Sequence, residues 1–108
     1  MNGKVGEEEA RDVLLRAIAG SAAVRLLNPG QTWDQTYAGD VGFVIDGWEF
    51  WFFNDCDDLD YVDSVRSPDG RFAEYGDWKS DCGAFSDPLS GIDSDGCAAL
   101  ERLLKEAA

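Results

Sequence analysis

The chain has no histidine and few basic residues, and both shortages exclude functions. Its 108 residues include no histidine, nine Lys and Arg, and 22 Asp and Glu, giving a formal net charge of −13. Without histidine, a His-dependent triad or a His acid–base pair is impossible. No glycine-rich phosphate loop of the G-x-G-x-x-G or Walker type occurs in the sequence either. We therefore expect no enzyme activity and no resident cofactor.

Long hydrophobic runs and cysteines are also scarce. No run of about 18 apolar residues occurs, so no transmembrane helix is predicted. The segment Glu7 to Glu9 places three acids near the N-terminus, which a secretory signal would not tolerate. The cysteines Cys56, Cys82 and Cys97 are odd in number and widely spaced, which favours reduced thiols over a disulfide framework. These features predict one cytoplasmic domain over residues 1–108 with a single hydrophobic core.

The negative charge is concentrated in the middle of the chain. Residues 33–95 carry sixteen acids against three bases, whereas the two flanking segments are neutral. Such a field repels nucleic acids and anionic membranes, which need Lys and Arg, and it attracts basic surfaces. We expect a basic protein surface as the partner, with no nucleic acid, no membrane, and a monomer or weak dimer. Solubility alone is the alternative explanation of the charge.

A tight β-hairpin is the element that the sequence supports best. Val41 to Ile45 and Trp48 to Phe53 flank Asp46-Gly47, a pair suited to a two-residue type I′ turn. The register that this turn imposes puts six large apolar side chains on one face, namely Val41, Phe43, Ile45, Trp48, Phe50 and Phe52. The other face is half apolar, with the Trp51 ring predicted to cover Gly42. We expect intramolecular cover for that face, and a partner patch is the alternative.

Helices and further strands around the hairpin predict an α+β fold. Apolar residues at helical spacing predict helices over Glu7 to Ala19 and about Asp95 to Glu106. A short helical turn is predicted from Ser21 through Leu27. Tyr61 to Arg66 and Arg71 to Tyr75 are predicted as a third and fourth strand. The expected architecture is an antiparallel β-meander of three to four strands packed with an N-terminal and a C-terminal helix.

An aspartate-rich turn after the hairpin is the first candidate binding site. Its acids are Asp55, Asp57, Asp58 and Asp60, with Asp63 beyond them. Clustered carboxylates on a loop suit Ca²⁺ or Mg²⁺, so the first four are candidate metal ligands, although the EF-hand pattern is absent. All five are candidate contacts for a basic partner. Turn formation with solvated acids is the third interpretation.

Three tryptophans are candidate partner anchors. Trp33 and Trp78 have acidic neighbours and lie outside strongly periodic segments, and Trp51 lies on the second face of the hairpin. Aromatic residues are enriched at interfaces, although packing under a loop is the alternative for Trp33 and Trp78. With the acids, they predict a protein-binding module: an inhibitor, an immunity-type protein or a nucleic-acid mimic. The alternative function is a Ca²⁺- or Mg²⁺-binding domain that uses Asp55 to Asp60.

Two motifs in the centre of the chain resemble those of a known family. The first motif consists of Trp33-Asp34, Tyr37 and Gly39, and the second consists of Phe53-Asn54-Asp55-Cys56-Asp57-Asp58-Leu59-Asp60-Tyr61, Asp63 and Ser64. With Asp46-Gly47-Trp48 and Ser67-Pro68-Asp69-Gly70-Arg71, which extend the similarity over residues 33–71, they resemble a family of small uncharacterised bacterial proteins, classed as a domain of unknown function. The resemblance implies no activity. It marks Asn54 to Asp63 as either a shared site or a shared structural turn.

Overall fold

Five antiparallel strands, arranged in chain order, organise the molecule. The computed structural model describes residues 4–28, 30–36, 38–56, 58–78 and 88–107. The helices are α1 (Glu7–Ile18) and α2 (Ser94–Glu106), and the strands are β1 (Val24–Leu26), β2 (Ala38–Ile45), β3 (Trp48–Asp55), β4 (Asp58–Arg66) and β5 (Phe72–Glu74). Two 3₁₀ turns, Tyr75–Trp78 and Pro88–Gly91, precede α2. The fold is α+β, as predicted.

The hairpin forms with the predicted register. Asp46 and Gly47 have φ angles of 52° and 81°, the positive values that a type I′ turn requires. Across β2 and β3, Ile45 pairs with Trp48, Phe43 with Phe50, and Val41 with Phe52. Trp48 is half-buried and the other five of these side chains are fully buried, so the predicted core face is confirmed.

The sheet is larger than predicted, with five strands in place of three to four. The segment predicted as a helical turn instead contains β1, whose Val24 to Leu26 pair with Ile45 to Phe43 of β2. The pairing satisfies the free edge of β2 and buries Leu26, and these tertiary contacts override a weak local helical preference. β4 also begins at Asp58, three residues before the predicted start at Tyr61.

Both helices pack on the core side of the sheet. The buried positions of α1 and α2 belong to the same cluster as the hairpin core; they are Ala10, Val13, Leu14, Ala17, Leu100 and Leu104. Each helix begins with a local cap: Gly6 N donates to Glu9 Oε1 at 3.1 Å, and Gly96 N donates to Asp93 Oδ1 at 2.7 Å. Among the described residues, no helix combines the length and the apolar character needed to cross a membrane.

Candidate functional site

Two of the three tryptophans predicted as anchors lie in the core. Trp33 is 0% exposed and packs against Phe43 with 6.3 Å between ring centroids. Trp78 is 7% exposed, and its indole nitrogen donates to the Val5 carbonyl at 3.0 Å. Burial of these large rings contributes packing energy, and the Trp78 N–H is satisfied inside the protein. Neither indole is available to a partner, which corrects the anchor role predicted for them.

Asn54 connects the two motifs that carry the family resemblance. Its side chain is fully buried, and Nδ2 donates to the carbonyl oxygens of Trp33, at 3.1 Å, and Thr36. The turn at residues 33–36 is thereby fastened to β3. The sequence offered a signal for this role, because residue 54 follows 48, 50 and 52 on the inward-facing side of β3. Both motifs therefore contain residues that build the fold.

The aspartate-rich turn is short and its acids point into solvent. β3 ends at Asp55 and pairs with Asp58 at the start of β4, while Cys56 between them has a φ of 52°. Asp55, Asp58 and Asp60 are all exposed. Among the residues that the structure describes, no three Asp, Glu, Cys or His side chains converge as metal ligands. Asp57, the fourth predicted ligand, lies outside the described residues.

The same turn is fastened to α2 through the side chain of Glu101. The Leu59 amide donates to Glu101 Oε1 at 2.8 Å, and Glu101 also forms an ion pair with Lys105 at 3.6 Å. A charged acceptor strengthens a hydrogen bond to a backbone amide. The turn between β3 and β4 is therefore a supported part of the fold.

Two β-bulges in β4 determine where its other acids lie. Phe53 pairs with Tyr61 but Asn54 pairs with Leu59, so Asp60 is an extra residue. Likewise, Trp51 pairs with Ser64 but Phe52 pairs with Val62, so Asp63 is extra. Bulges redirect side chains and increase the local twist. They let β4 keep its apolar residues on the core side while it carries acids in mid-strand.

The side of the sheet opposite the core, here called the outer face, carries no helix among the described elements. Its central row pairs Gly42 with Trp51. A Cβ atom at Gly42 would lie 3.0 Å from the Trp51 ring and 3.0 Å from Leu27 Cδ2. The predicted cover of Gly42 by the Trp51 ring is therefore confirmed, with Leu27 as a second covering side chain. Trp51 itself remains half-buried.

Aromatic rings continue across the outer face next to Trp51. Phe53 stacks on Tyr61 with 5.2 Å between centroids and 14° between planes, and Tyr61 contacts Tyr75 at 4.6 Å. All three side chains are half-buried. Offset and tilted contacts of this kind stabilise neighbouring rings while leaving part of each ring accessible.

Two carboxyl groups border these rings. Asp40 pairs across the sheet with Phe53, and its carboxyl group neighbours that of Asp63. Burial, as the largest cause, and the neighbouring carboxyl group of Asp63 together raise the pKa of Asp40 to about 6. Burial also raises the pKa of Tyr61, with the charges of Asp63 and Asp40 adding to the effect. We call Asp40, Phe53, Tyr61, Asp63 and Tyr75 the aromatic–acidic patch.

None of the ion pairs among the described segments includes an acid of the aromatic–acidic patch, and two arginines lie elsewhere on the outer face. The ion pairs among these segments join Lys4 to Asp77, Arg11 to Glu7, Arg16 to Asp46, Arg71 to Glu9 and Asp69, and Lys105 to Glu101, and none includes Asp40 or Asp63. Arg25 and Arg66 lie in the row of Glu49, four residues along β3 from Phe53. That separation is about 13 Å at the rise of a β-strand. Asp63 lies nearer to this row than Phe53 does, because it is the bulge residue between the partners of Trp51 and Phe52.

The sequence located part of this site. Trp51 and Asp63 were predicted as partner contacts, and the structure brings both to the outer face. Asp40, Tyr61 and Tyr75 were missed. Asp40 could have been placed from the hairpin register, because residue 40 alternates with 41 and pairs with 53. Tyr61 required the position of the bulge, which no local pattern reveals.

The fold and the site together define a small α+β domain with two helices on one face of a five-stranded meander and an aromatic–acidic patch on the other. The chain belongs to the family described as a domain of unknown function, DUF7693, whose profile matches residues 4–106. Neither the curated proteins nor the solved structures gave a match to the chain. The family description names no activity.

Proposed function

We propose that the protein is a binding module that docks on a basic surface of a partner protein through its outer face. The observation that supports this function is the aromatic–acidic patch, where half-buried rings adjoin two carboxyl groups. Aromatic side chains supply a large contact area and lose little conformational entropy on binding, and the faces of their rings attract cations. Carboxylates beside them select a partner of positive charge.

The overall charge supports the same proposal. A net charge of −13 on 108 residues creates a long-range field that steers basic proteins toward the surface and accelerates association. The same self-repulsion favours a monomer or weak dimer. An inhibitor, an immunity-type protein and a nucleic-acid mimic all operate in this way. The proposal includes a cytoplasmic location, which is supported by the exposed free thiol of Cys56.

The experiment compares two double variants that change the charge equally. Asp40→Asn/Asp63→Asn removes the carboxylates of the patch, whereas Asp12→Asn/Asp34→Asn removes two exposed carboxylates elsewhere. The probe is a fluorescent peptide of mixed Lys and Arg, titrated by anisotropy at low and at physiological salt. We expect the patch variant to weaken binding about tenfold or more and the control variant to leave it nearly unchanged. Equal weakening by both variants would indicate general charge attraction and would refute docking at the patch.

A further inference from the structure

We propose that the aromatic–acidic patch holds an arginine side chain of the partner, with the guanidinium group against the Tyr61 ring and hydrogen-bonded to Asp40 and Asp63. This inference deepens the proposed function and rests on it. The occupant is thus an arginine-bearing basic segment, and a lysine-rich segment of equal charge is the competing occupant.

The two carboxyl groups of the patch are arranged for a shared cation. Asp40 is the cross-strand partner of Phe53, Tyr61 is the partner of Phe53 on the other side, and the bulge residue Asp63 follows two positions after Tyr61, so the two carboxyl groups are neighbours on the outer face. When both are ionised they repel each other, and partial burial strengthens that repulsion. A planar cation with several donors can hydrogen-bond to both groups at once and remove the repulsion.

The protein already uses a guanidinium group for this purpose at another carboxylate pair. Arg71 donates to both carboxylate oxygens of Glu9, at 2.9 and 2.8 Å, and to Asp69 Oδ2 at 3.1 Å. One arginine therefore satisfies two acids from different elements. Asp40 and Asp63 likewise present two carboxyl groups, and none of the ion pairs within the described segments joins an arginine to either of them.

The outer face also already contains an arginine against an aromatic ring. The Arg66 guanidinium carbon lies 5.8 Å from the centroid of Phe72, at the end of the sheet away from the patch. In the patch, the rings of Phe53, Tyr61 and Tyr75 are partly accessible and contact one another, Phe53 is paired with Asp40, and Tyr61 lies within reach of the charges of both carboxyl groups. Arginine stacks on such rings through its flat face while its edge bonds to carboxylates. The ammonium group of lysine is a point charge that cannot do both equally well.

The test uses two fluorescent peptides of equal length and charge, one carrying arginines and the other carrying lysines at the same positions. With the wild-type protein at physiological salt, we expect the arginine peptide to bind about tenfold more tightly. In Asp40→Asn/Asp63→Asn the two peptides should bind with equal, weaker affinity. Asp12→Asn/Asp34→Asn should keep the preference. Thermal unfolding verifies that each variant is folded, and Asp63→Asn alone serves if the double variant is not.

The outcomes separate this inference from the function on which it rests. Equal affinity of the two peptides for the wild-type protein, with loss in the patch variant, would overturn the arginine preference and leave the docking function standing. No binding of either peptide would overturn both. Amide chemical shifts give an independent measurement: the arginine peptide should perturb Asp40, Tyr61 and Asp63. Shifts centred on Arg25 and Arg66 would overturn the assigned position.

Discussion

Asn54 provides the sharpest test of the physical basis of this fold. Asn54→Ala removes two hydrogen bonds from a fully buried amide to the carbonyl oxygens of Trp33 and Thr36. Each bond contributes about 1 kcal/mol, and the Thr36 carbonyl, left without this donor, adds up to about 1 kcal/mol, whereas the Trp33 carbonyl still accepts from the Thr36 amide at 3.2 Å. Asn54 Oδ1 has no partner within the described residues, so its removal offsets part of the loss. We expect a net destabilisation of about 2–3 kcal/mol.

Urea unfolding followed by tryptophan fluorescence measures this loss directly. The midpoint should fall while the slope stays constant, and the thermal midpoint should drop by about 10 °C for a domain of this size. Asp34→Ala, an exposed change in the same turn, is the matched control and should alter stability by less than about 0.5 kcal/mol.

A second substitution isolates the donor role of the Asn54 amide. Asn54→Asp keeps the shape but replaces the donor with an acceptor that faces two carbonyl oxygens, so it should destabilise at least as much as Asn54→Ala at neutral pH. If Asn54→Asp were as stable as the wild type, the amide would not be what fastens the turn. An alanine variant within about 0.5 kcal/mol of the wild type would refute the reasoning in the same way.

Three other predictions test the outer face and the acidic turn. The pKa of Asp40 is raised to about 6 in the folded protein, so its contribution to stability falls as pH rises from about 4 to about 6. Asp40→Asn should abolish this decrease in the free energy of unfolding and, after allowance for solvent screening, should stabilise the protein by about 1 kcal/mol at neutral pH. Urea midpoints measured against pH test this expectation, and a pH profile identical to that of the wild type would contradict it. Gly42→Ala places a Cβ atom 3.0 Å from the Trp51 ring, so it should destabilise the folded protein by about 1–2 kcal/mol and shift the fluorescence emission of Trp51. Unaltered stability would mean that the ring moves aside without cost. Millimolar Ca²⁺ or Mg²⁺ should raise the thermal midpoint by the same amount in Asp58→Asn as in the control Asp34→Asn, because the described acids of the turn do not converge on one metal position. A rise in the midpoint that is lost only in Asp58→Asn would reveal a metal site.

The hairpin was predictable because a two-residue turn leaves no freedom in pairing. Once Asp46-Gly47 is recognised, every partner along β2 and β3 follows by counting, and the side-chain alternation follows with it. The same count places Asp40 opposite Phe53. The count fails beyond β3, because the bulges at Asp60 and Asp63 each add a residue to β4.

The errors arose where tertiary contacts decide the structure. Trp33 and Trp78 have polar neighbours in sequence, and only the packing of distant elements buries them. Val24 to Leu26 form a strand because the edge of β2 is available, which a local pattern cannot show. The sequence left the direction of the acids in the acidic turn open, since bulges and backbone angles determine where each described carboxylate points.

The lateral margins of the sheet restrict how other chains can attach to the molecule. β1 and β5 are three residues each and pair with only three residues of β2 and of β4, so each of these two strands forms a margin with only a brief ladder of unpaired amides and carbonyls. Margins this short are poor templates for adding another strand, and natural proteins use them to prevent aggregation. The docking proposed for this domain therefore relies on side chains of the outer face and not on strand addition at β1 or β5.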